Sequence, residues 1–187
     1  MLNLEEEKKL VERAKKDPEA FGELYDEYYS RIFGYVLKRV ADIEIAQDIV
    51  SETFFKAIKN IWRFRWQNIP FSSWLYRIAS NEIANYFRKE KYKTISLEDA
   101  PEPVYGSTPF SEIMEAQEEL EKHKDFLSLQ EKISKLSIRH QEVITLKFFE
   151  KRQIKEIADI LGKKEGTVKS LLHRALEKLR EQMDANN

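Results

Sequence analysis

Apolar residues recur every three to four positions through most of the chain, which is the spacing of one face of an α-helix. Asp17 and Pro18, suited to the N-cap and first turn of a helix, precede the first such stripe. No segment alternates apolar and polar residues as a half-buried strand would. The stripes before residue 90 are Phe21, Leu24, Tyr25, Tyr28, Ile32 and Tyr35; Ala46, Ile49, Val50, Thr53, Phe54, Ala57 and Ile61; and Trp74, Leu75, Ile78, Ala79, Ile83, Tyr86 and Phe87.

Two interruptions divide this pattern. Residues 62–73 contain Pro70 and two serines, so we predict a loop there, with a serine as the N-cap of the third helix. Within this segment, Trp62 and Phe64 are expected to pack in the core, as large aromatic side chains usually do. The period is lost again from about Thr94 to Thr108, and residues 110–128 predict an acidic helix or a helical part of the linker. We therefore predict an all-α fold of two small helical bundle domains, residues 1–93 and 129–187, joined by a flexible acidic linker at residues 94–128.

Residues 153–180 predict a helix that ends at Gly162, then a tight turn and a second helix. The inner face of the first helix is predicted to comprise Ile154, Ile157, Ala158 and Leu161. That of the second is predicted to comprise Val168, Leu171 or Leu172, Ala175 and Leu179. This is the helix-turn-helix pattern, whose second helix enters the major groove of DNA. A plain helical hairpin with a solvated basic face fits the same spacing.

Hydrogen-bond donors suited to phosphates and base edges lie in the turn and on the outward side of that second helix. The candidates for upstream DNA contact are Lys163, Lys164, Thr167, Lys169, Ser170, His173, Arg174 and Lys178.

Charge is segregated although the net charge is only −1. Residues 61–95 carry seven basic residues against two acidic ones, and residues 129–187 carry 13 against nine. Residues 96–128 between them carry nine acidic residues against two basic ones. Two basic regions separated by an acidic one favour two surfaces for a polyanion, while ordinary solvated helix charge is the alternative.

Composition excludes several kinds of site. Cysteine is absent and the three histidines lie far apart in sequence, so we expect no catalytic residues, no metal and no other cofactor. The sequence has neither a basic leader nor an apolar run long enough to span a bilayer. We therefore expect a cytoplasmic protein without a membrane span.

Motifs in both halves resemble one family. Residues 165–170 (EGTVKS) and 173–175 (HRA), with the lead-ins at 136–148 and 154–162, are similar to the C-terminal, promoter-reading domain of extracytoplasmic-function (ECF) RNA polymerase sigma factors. Residues 46–57 (AQDIVSETFFKA) resemble the family's polymerase-docking helix, and residues 64–81 its promoter-melting segment. Leu171 and Leu176 stand where the family often has arginine.

The resemblance implies a sigma factor that is not an enzyme. Such a protein binds the clamp and flap of core RNA polymerase, reads the minus-ten and minus-thirty-five promoter elements and helps to melt the DNA; an anti-sigma factor is a further partner of the family. Core binding is assigned to Asp48, Ser51, Glu52 and Phe55. Minus-ten contacts are assigned to Arg65, Trp66, Gln67, Asn68, Ser72, Arg77, Asn81, Arg88 and Lys89, because aromatic rings stack on bases and cations hold phosphates.

Three other classes stay open at this point. A DNA-binding regulator that works without polymerase would account for the helix-turn-helix but not for the aromatic-basic loop or the acidic docking helix. An enzyme acting on nucleic acids has no cluster of carboxylates, no Cys and no paired His to support it. The third alternative is an interaction protein that sequesters a regulator of sigma factors.

Overall fold

The structure is a computed structural model that describes residues 3–66, 70–96, 129 and 131–184. Every regular element in these ranges is helical, as the sequence predicts. The predicted linker lies outside the described residues from 97 onward, as do the predicted helix at 110–128 and two loop candidates, Gln67 and Asn68.

Four helices form the first unit: α1 (Leu4–Ala14), α2 (Pro18–Val40), α3 (Ile43–Asn60) and α4 (Phe71–Ser96). Each of the first three starts at an Asn or Asp whose side chain accepts backbone N–H groups of the first turn, including Asp17 as predicted. Their stripes meet in one core, where Leu24, Ile32 and Leu75 are completely buried.

The segment between α3 and α4 differs from the predicted loop. Ile61–Arg63 form a 3-10 turn, and α4 begins directly after Pro70. Ser72 and Ser73 therefore lie inside the first turn of α4 and are buried, so the prediction of a serine N-cap is wrong. At its other end α4 runs to Ser96, three residues beyond the predicted boundary of the first domain.

The second unit contains α5 (Ile138–Ile144), which continues into a π-helical turn at Thr145–Phe149, followed by α6 (Ile154–Leu161) and α7 (Glu165–Asp184). Gly162 ends α6 in the left-handed conformation at φ 61°, and the Lys163 N–H closes the turn on the Ala158 carbonyl at 2.9 Å. The helix-turn-helix prediction is thereby confirmed. Ile160 is buried as well, because α6 packs against α4 in addition to α7.

The two units pack directly against each other, which the sequence did not predict. Lys38 Nζ and the Tyr76 hydroxyl, both from the first unit, donate to opposite oxygens of the Glu150 carboxylate at 3.0 and 2.6 Å. The Arg152 guanidinium lies 4.7 Å from the centre of the Tyr76 ring. Burial and the hydrogen bond to Glu150 raise the pKa of Tyr76, so this phenol stays a donor in the physiological range.

Replacing Gly162 with alanine tests the helix-turn-helix turn. No heavy atom lies within 4 Å of the added Cβ, so the cost is the left-handed backbone conformation alone, about 1 kcal/mol of unfolding free energy. Gly22→Ala, inside α2 and equally unobstructed, is the matched control and should stabilise by about 0.5–1 kcal/mol. Urea unfolding measures both; a neutral Gly162→Ala variant would contradict the assigned turn.

Candidate functional site

Four predicted core-binding residues lie together on one exposed face of α3. Asp48, Ser51, Glu52 and Phe55 line a groove whose opposite wall is α4, and we call it the docking groove. Their exposure contrasts with four apolar residues of the same helix, which the sequence assigned to the core and which are buried: Ile49, Val50, Phe54 and Ala57.

A lysine holds the two walls of the docking groove together. Lys56 Nζ lies 3.0 Å from Glu52 on α3 and 2.7 Å from Glu82 on α4. The hydrogen bond to Glu82 is the main reason why the pKa of Lys56 is raised. The Glu52 carboxylate is therefore already shared with a cation, whereas the Asp48 side chain is exposed in the groove.

The same groove also contains residues predicted to hold DNA. Arg88 and Lys89 line it from α4, together with Asn85, whose side-chain oxygen accepts a hydrogen bond from Arg88 at 2.6 Å. The acidic α3 wall and the basic α4 wall therefore face each other, and Asn81, one turn earlier on α4, is exposed.

An aromatic cluster anchors the predicted melting segment. The Phe64 ring lies 5.3 Å from Phe71 and 5.4 Å from Trp74, centre to centre, and Trp66 contacts Phe64 edge to face at 6.1 Å. Trp66 is partly buried against this cluster, so it is less free to stack on a base than the sequence suggested. The predicted packing of Phe64 and Trp74 in the core is confirmed.

Three arginines converge beside the aromatic cluster. Arg63, Arg65 and Arg77 line a pocket with Phe64, Ser73 and Trp74, and we call it the arginine pocket. The Ser73 hydroxyl is buried beneath this pocket and has no hydrogen-bond partner among the described residues. Cations and aromatic rings in one pocket suit a nucleotide with its phosphate. Asp159 of α6 also lines this pocket.

Ser72 does not belong to this pocket surface. Its side chain is buried, and its backbone N–H donates to the Glu7 carboxylate at 3.4 Å, because it lies in the first turn of α4 instead of the loop. The structure therefore removes Ser72 from the accessible minus-ten candidates.

The predicted recognition surface is placed on α7 and the turn before it. Thr167, Lys169 and Lys178 are exposed, Arg174 donates to the Ser170 hydroxyl at 2.9 Å, and His173 pairs with Glu177 at 3.2 Å. Lys163 and Lys164 lie in the turn itself. These side chains form one polar face, as the helical spacing predicted.

The second unit also exposes apolar residues. Phe148, Leu176 and Met183 are 51%, 42% and 51% exposed and line a groove with Ile133 and Leu129. Leu176 therefore belongs to an apolar groove and not to the recognition face. Leu171, the other position where the family often has arginine, is partly buried against the core.

Comparison with known proteins identifies the chain. Family models for sigma-70 region 2 and sigma-70 region 4 match residues 24–92 and 126–179. The chain is 34% identical to the ECF RNA polymerase sigma factor SigW of Bacillus subtilis, over 94% of this chain and 96% of that protein. The chain belongs to the ECF family of RNA polymerase sigma factors. This sigma factor is also 33% identical to the ECF sigma factor BldN of Streptomyces coelicolor, of which it spans 63%.

Solved structures share the fold of this sigma factor. The structure of CnrH in complex with the cytosolic domain of CnrY covers 97% of the chain with a TM-score of 0.70 at 21% identity. The sigma factor RpoE in complex with the anti-sigma factor NepR from Bartonella quintana covers 89% with a TM-score of 0.64 at 22% identity. Within the ranges that the structure describes, no helix is long and apolar enough to cross a membrane.

Sequence reasoning missed an exposed ring. Trp62 was expected in the core but is 63% exposed, with Arg63 stacked 4.6 Å from its centre. Its burial was expected from the usual preference of large aromatic residues, whereas the 3-10 turn places the ring at the surface. Phe55, Ile58 and Trp62 recur at three- to four-residue spacing, so continuing the docking face along α3 would have found it.

Fluorescence quenching tests the placement of the three tryptophans. Trp62 is the most exposed of them and has cations nearby, so iodide should quench it most strongly, whereas Trp66 and Trp74 are shielded. Trp62→Phe should remove most of the iodide-quenchable emission of the native protein. Trp74→Phe is the matched control and should leave that component in place; the reverse pattern would contradict the structure.

Proposed function

We propose that this sigma factor divides promoter opening between two DNA surfaces and docks on core RNA polymerase through a third. The convergence of Arg63, Arg65 and Arg77 on an aromatic-lined pocket is the observation that carries the proposal. This pocket lies in the region that matches sigma-70 region 2. Its aromatic rings can stack on an unstacked base, and its arginines can hold the backbone of that base.

The minus-ten step uses binding energy in place of catalysis. A melted strand presents bases without partners and phosphates freed from the duplex. Stacking on an aromatic ring contributes roughly 1–3 kcal/mol per base, which offsets the cost of separating a base from its stack. Arg65 and Arg77 would hold the phosphates. The protein itself breaks no covalent bond.

The minus-thirty-five step assigns the exposed face of α7 to the DNA major groove. Thr167 and Lys169 lie in its first turns, the part of a recognition helix that reaches base edges, and Lys178 lies near its other end. Hydroxyl and ammonium groups donate both to phosphates and to guanine edges. Promoter DNA is therefore the proposed partner at two separate surfaces of this chain.

Polymerase docking is assigned to the docking groove and to the apolar groove of the second unit. The exposed Asp48 and Phe55 combine charge with an aromatic surface, which suits a basic and partly apolar partner such as the clamp. The flap is assigned to the groove around Phe148, Leu176 and Met183. A cytoplasmic location follows from this role.

An anti-sigma factor is a further proposed partner. The two solved proteins that share this fold are held in complexes, and one of them, a sigma factor, is bound to a protein named as an anti-sigma factor. An exposed apolar groove beside two DNA-reading surfaces gives such a partner a place to bind.

Charge reversal tests the docking groove. Asp48→Arg with Glu52→Arg should weaken binding to core RNA polymerase by about 30-fold, since losing about 1 kcal/mol at each site corresponds to that factor. The measurement is titration with fluorescently labelled protein, supported by co-elution on a sizing column.

Glu12→Arg with Glu44→Arg provides the matched control. Both glutamates are exposed and lie outside the groove, so the net charge changes equally while affinity stays close to that of the wild type. Equal weakening by the two double variants would contradict a localised docking site. Absence of any complex between the wild-type chain and its own organism's core enzyme would overturn the proposed function.

Salt dependence tests the recognition face. Lys169→Ala should reduce the slope of log affinity against log salt by about 1 for a 40-base-pair duplex, because one phosphate contact and its released counterion are lost. Lys135→Ala, which removes a lysine paired only with the nearby Glu131 in the described contacts, should leave the slope unchanged. Identical slopes for both variants would contradict the assignment of α7 to DNA.

A further inference from the structure

A carboxylate is buried between α1 and the start of α4. Of the three consecutive glutamates in the first turn of α1, Glu5 and Glu6 are exposed, whereas Glu7 is only 4% exposed. Burying a carboxylate is costly unless hydrogen-bond donors compensate for the water that it has lost. Glu7 therefore needs partners inside the fold, and the positions of these partners indicate what it does.

Two donors meet on the same oxygen of Glu7. Its Oε1 accepts hydrogen bonds from the Tyr28 hydroxyl of α2 and from the Ser72 backbone N–H, 3.4 Å away, in the first turn of α4. Burial and the hydrogen bond to Glu7 raise the pKa of Tyr28, so its phenol keeps the proton that it donates. One carboxylate oxygen thus links three helices, α1, α2 and α4.

The contact with Ser72 stabilises the beginning of α4. The first backbone N–H groups of a helix have no acceptor within that helix, and together they carry about half a positive charge. Pro70 lies directly before α4, and proline has no side-chain acceptor with which to cap these groups. Glu7, 65 positions away from Ser72 in the sequence, supplies both an acceptor and a negative charge from α1.

The beginning of α4 also forms one wall of the arginine pocket. Trp74 and Arg77 line that pocket from α4, and Phe64 lines it from the segment before α4. The completely buried Phe71 ring lies 5.3 Å from Phe64 and 5.4 Å from Trp74, centre to centre. The Tyr28 ring, whose hydroxyl donates to the buried carboxylate, contacts Phe71 at 5.9 Å. A shift of the first turn of α4 would therefore change the shape of the pocket.

We propose that Glu7 is a positioning residue for the minus-ten step: its carboxylate anchors the first turn of α4 and thereby keeps the arginine pocket in the shape that captures an unstacked base. Glu7 lies on α1, before residues 24–92, which match sigma-70 region 2, so this support comes from outside the matched region. The inference rests on the proposed function, because it takes the arginine pocket as the site of base capture. The anchoring of α4 can be measured without DNA.

Amide hydrogen exchange of the free, full-length protein tests the anchoring. Glu7→Leu keeps a side chain of similar volume but removes the acceptor, so the first turn of α4 should exchange about fivefold faster, the factor expected for one lost helix cap. Val11→Ala, at a completely buried position one turn later on α1, is the matched control, because it loosens the packing of α1 and leaves the carboxylate in place. An unchanged first turn in Glu7→Leu, or equal acceleration in both variants, would overturn the inference.

Strand binding tests the consequence for the minus-ten step. The probe is a labelled nontemplate strand of about 20 nucleotides from a promoter whose transcript 5′ end has been mapped, and it is added to the complex of core polymerase with the chain. Glu7→Leu should bind the strand about fivefold more weakly, while its affinity for core polymerase stays within about twofold of the wild type. Val11→Ala should keep both affinities. Equal losses of strand and core affinity in Glu7→Leu would show a general loss of folding and overturn the inference.

Glu7→Gln covers the case in which the Glu7→Leu chain does not fold. Glutamine keeps the length of the side chain and one acceptor oxygen but lacks the negative charge that favours a helix N-terminus. Faster exchange in the first turn of α4 and weaker strand binding should therefore both appear, each to a smaller extent. Wild-type exchange together with wild-type strand affinity in this variant would overturn the inference.

Arg65→Ala separates this inference from the proposed function. Arg65 lines the arginine pocket, and its substitution removes a proposed phosphate contact while the Glu7 carboxylate stays in place. Weaker strand binding by Arg65→Ala, with unchanged binding by Glu7→Leu, would overturn the inference and leave the proposed function standing. Unchanged strand binding by Arg65→Ala would contradict the proposed function, while faster exchange in Glu7→Leu would still support the anchoring of α4.

Discussion

Helix α4 must satisfy several neighbours at once, and the rest of the structure depends on how its faces are divided among them. Leu75, Ala79 and Ile83, four residues apart, are completely buried and close the core of the first unit. Glu82 and Arg88 line the docking groove on another side. Tyr76 and Arg77 meet the second unit on a third side. The 26-residue helix therefore meets its neighbours on three sides.

Arg77 combines a proposed DNA contact with an observed contact between the two units. Arg77 lines the arginine pocket and bonds the end of α6, and α6 is in turn the first helix of the helix-turn-helix. A guanidinium can serve carbonyl oxygens or a phosphate, but the two acceptors cannot occupy its face together. The proposed phosphate contact of Arg77 and its observed contact with α6 therefore compete for one guanidinium.

The helical faces of the fold could be predicted from the sequence because each stripe packs against its nearest neighbours. Asp17 and Gly162 end their helices as the local patterns require. The exposure of Trp62 was not predicted because its burial was inferred from the residue type alone, and the 3-10 turn places the ring at the surface. The burial of Ser72 was not predicted, because Pro70 lies directly before α4 and not in the middle of a loop. Local spacing contains no information on either shift.

The candidate site was predictable in parts that lie on one helix, and much less so where two units meet. The candidate docking residues share one face of α3, and the candidate DNA donors share one face of α7, each at helical spacing. Glu150 and Lys38 are 112 positions apart, and nothing in the surroundings of either residue identifies the other as its partner. The place of Arg63 in the arginine pocket could not be predicted either, because the pocket combines the 3-10 turn with residues of α4.

Two DNA surfaces are proposed to direct polymerase to the promoters that this chain recognises. Transcription in vitro from genomic DNA of its own bacterium by core polymerase, with mapping of the 5′ ends of the transcripts, tests this proposal. With the chain added, we expect new 5′ ends that share two upstream sequence elements near minus ten and minus thirty-five. The same set of 5′ ends with and without the chain would contradict it.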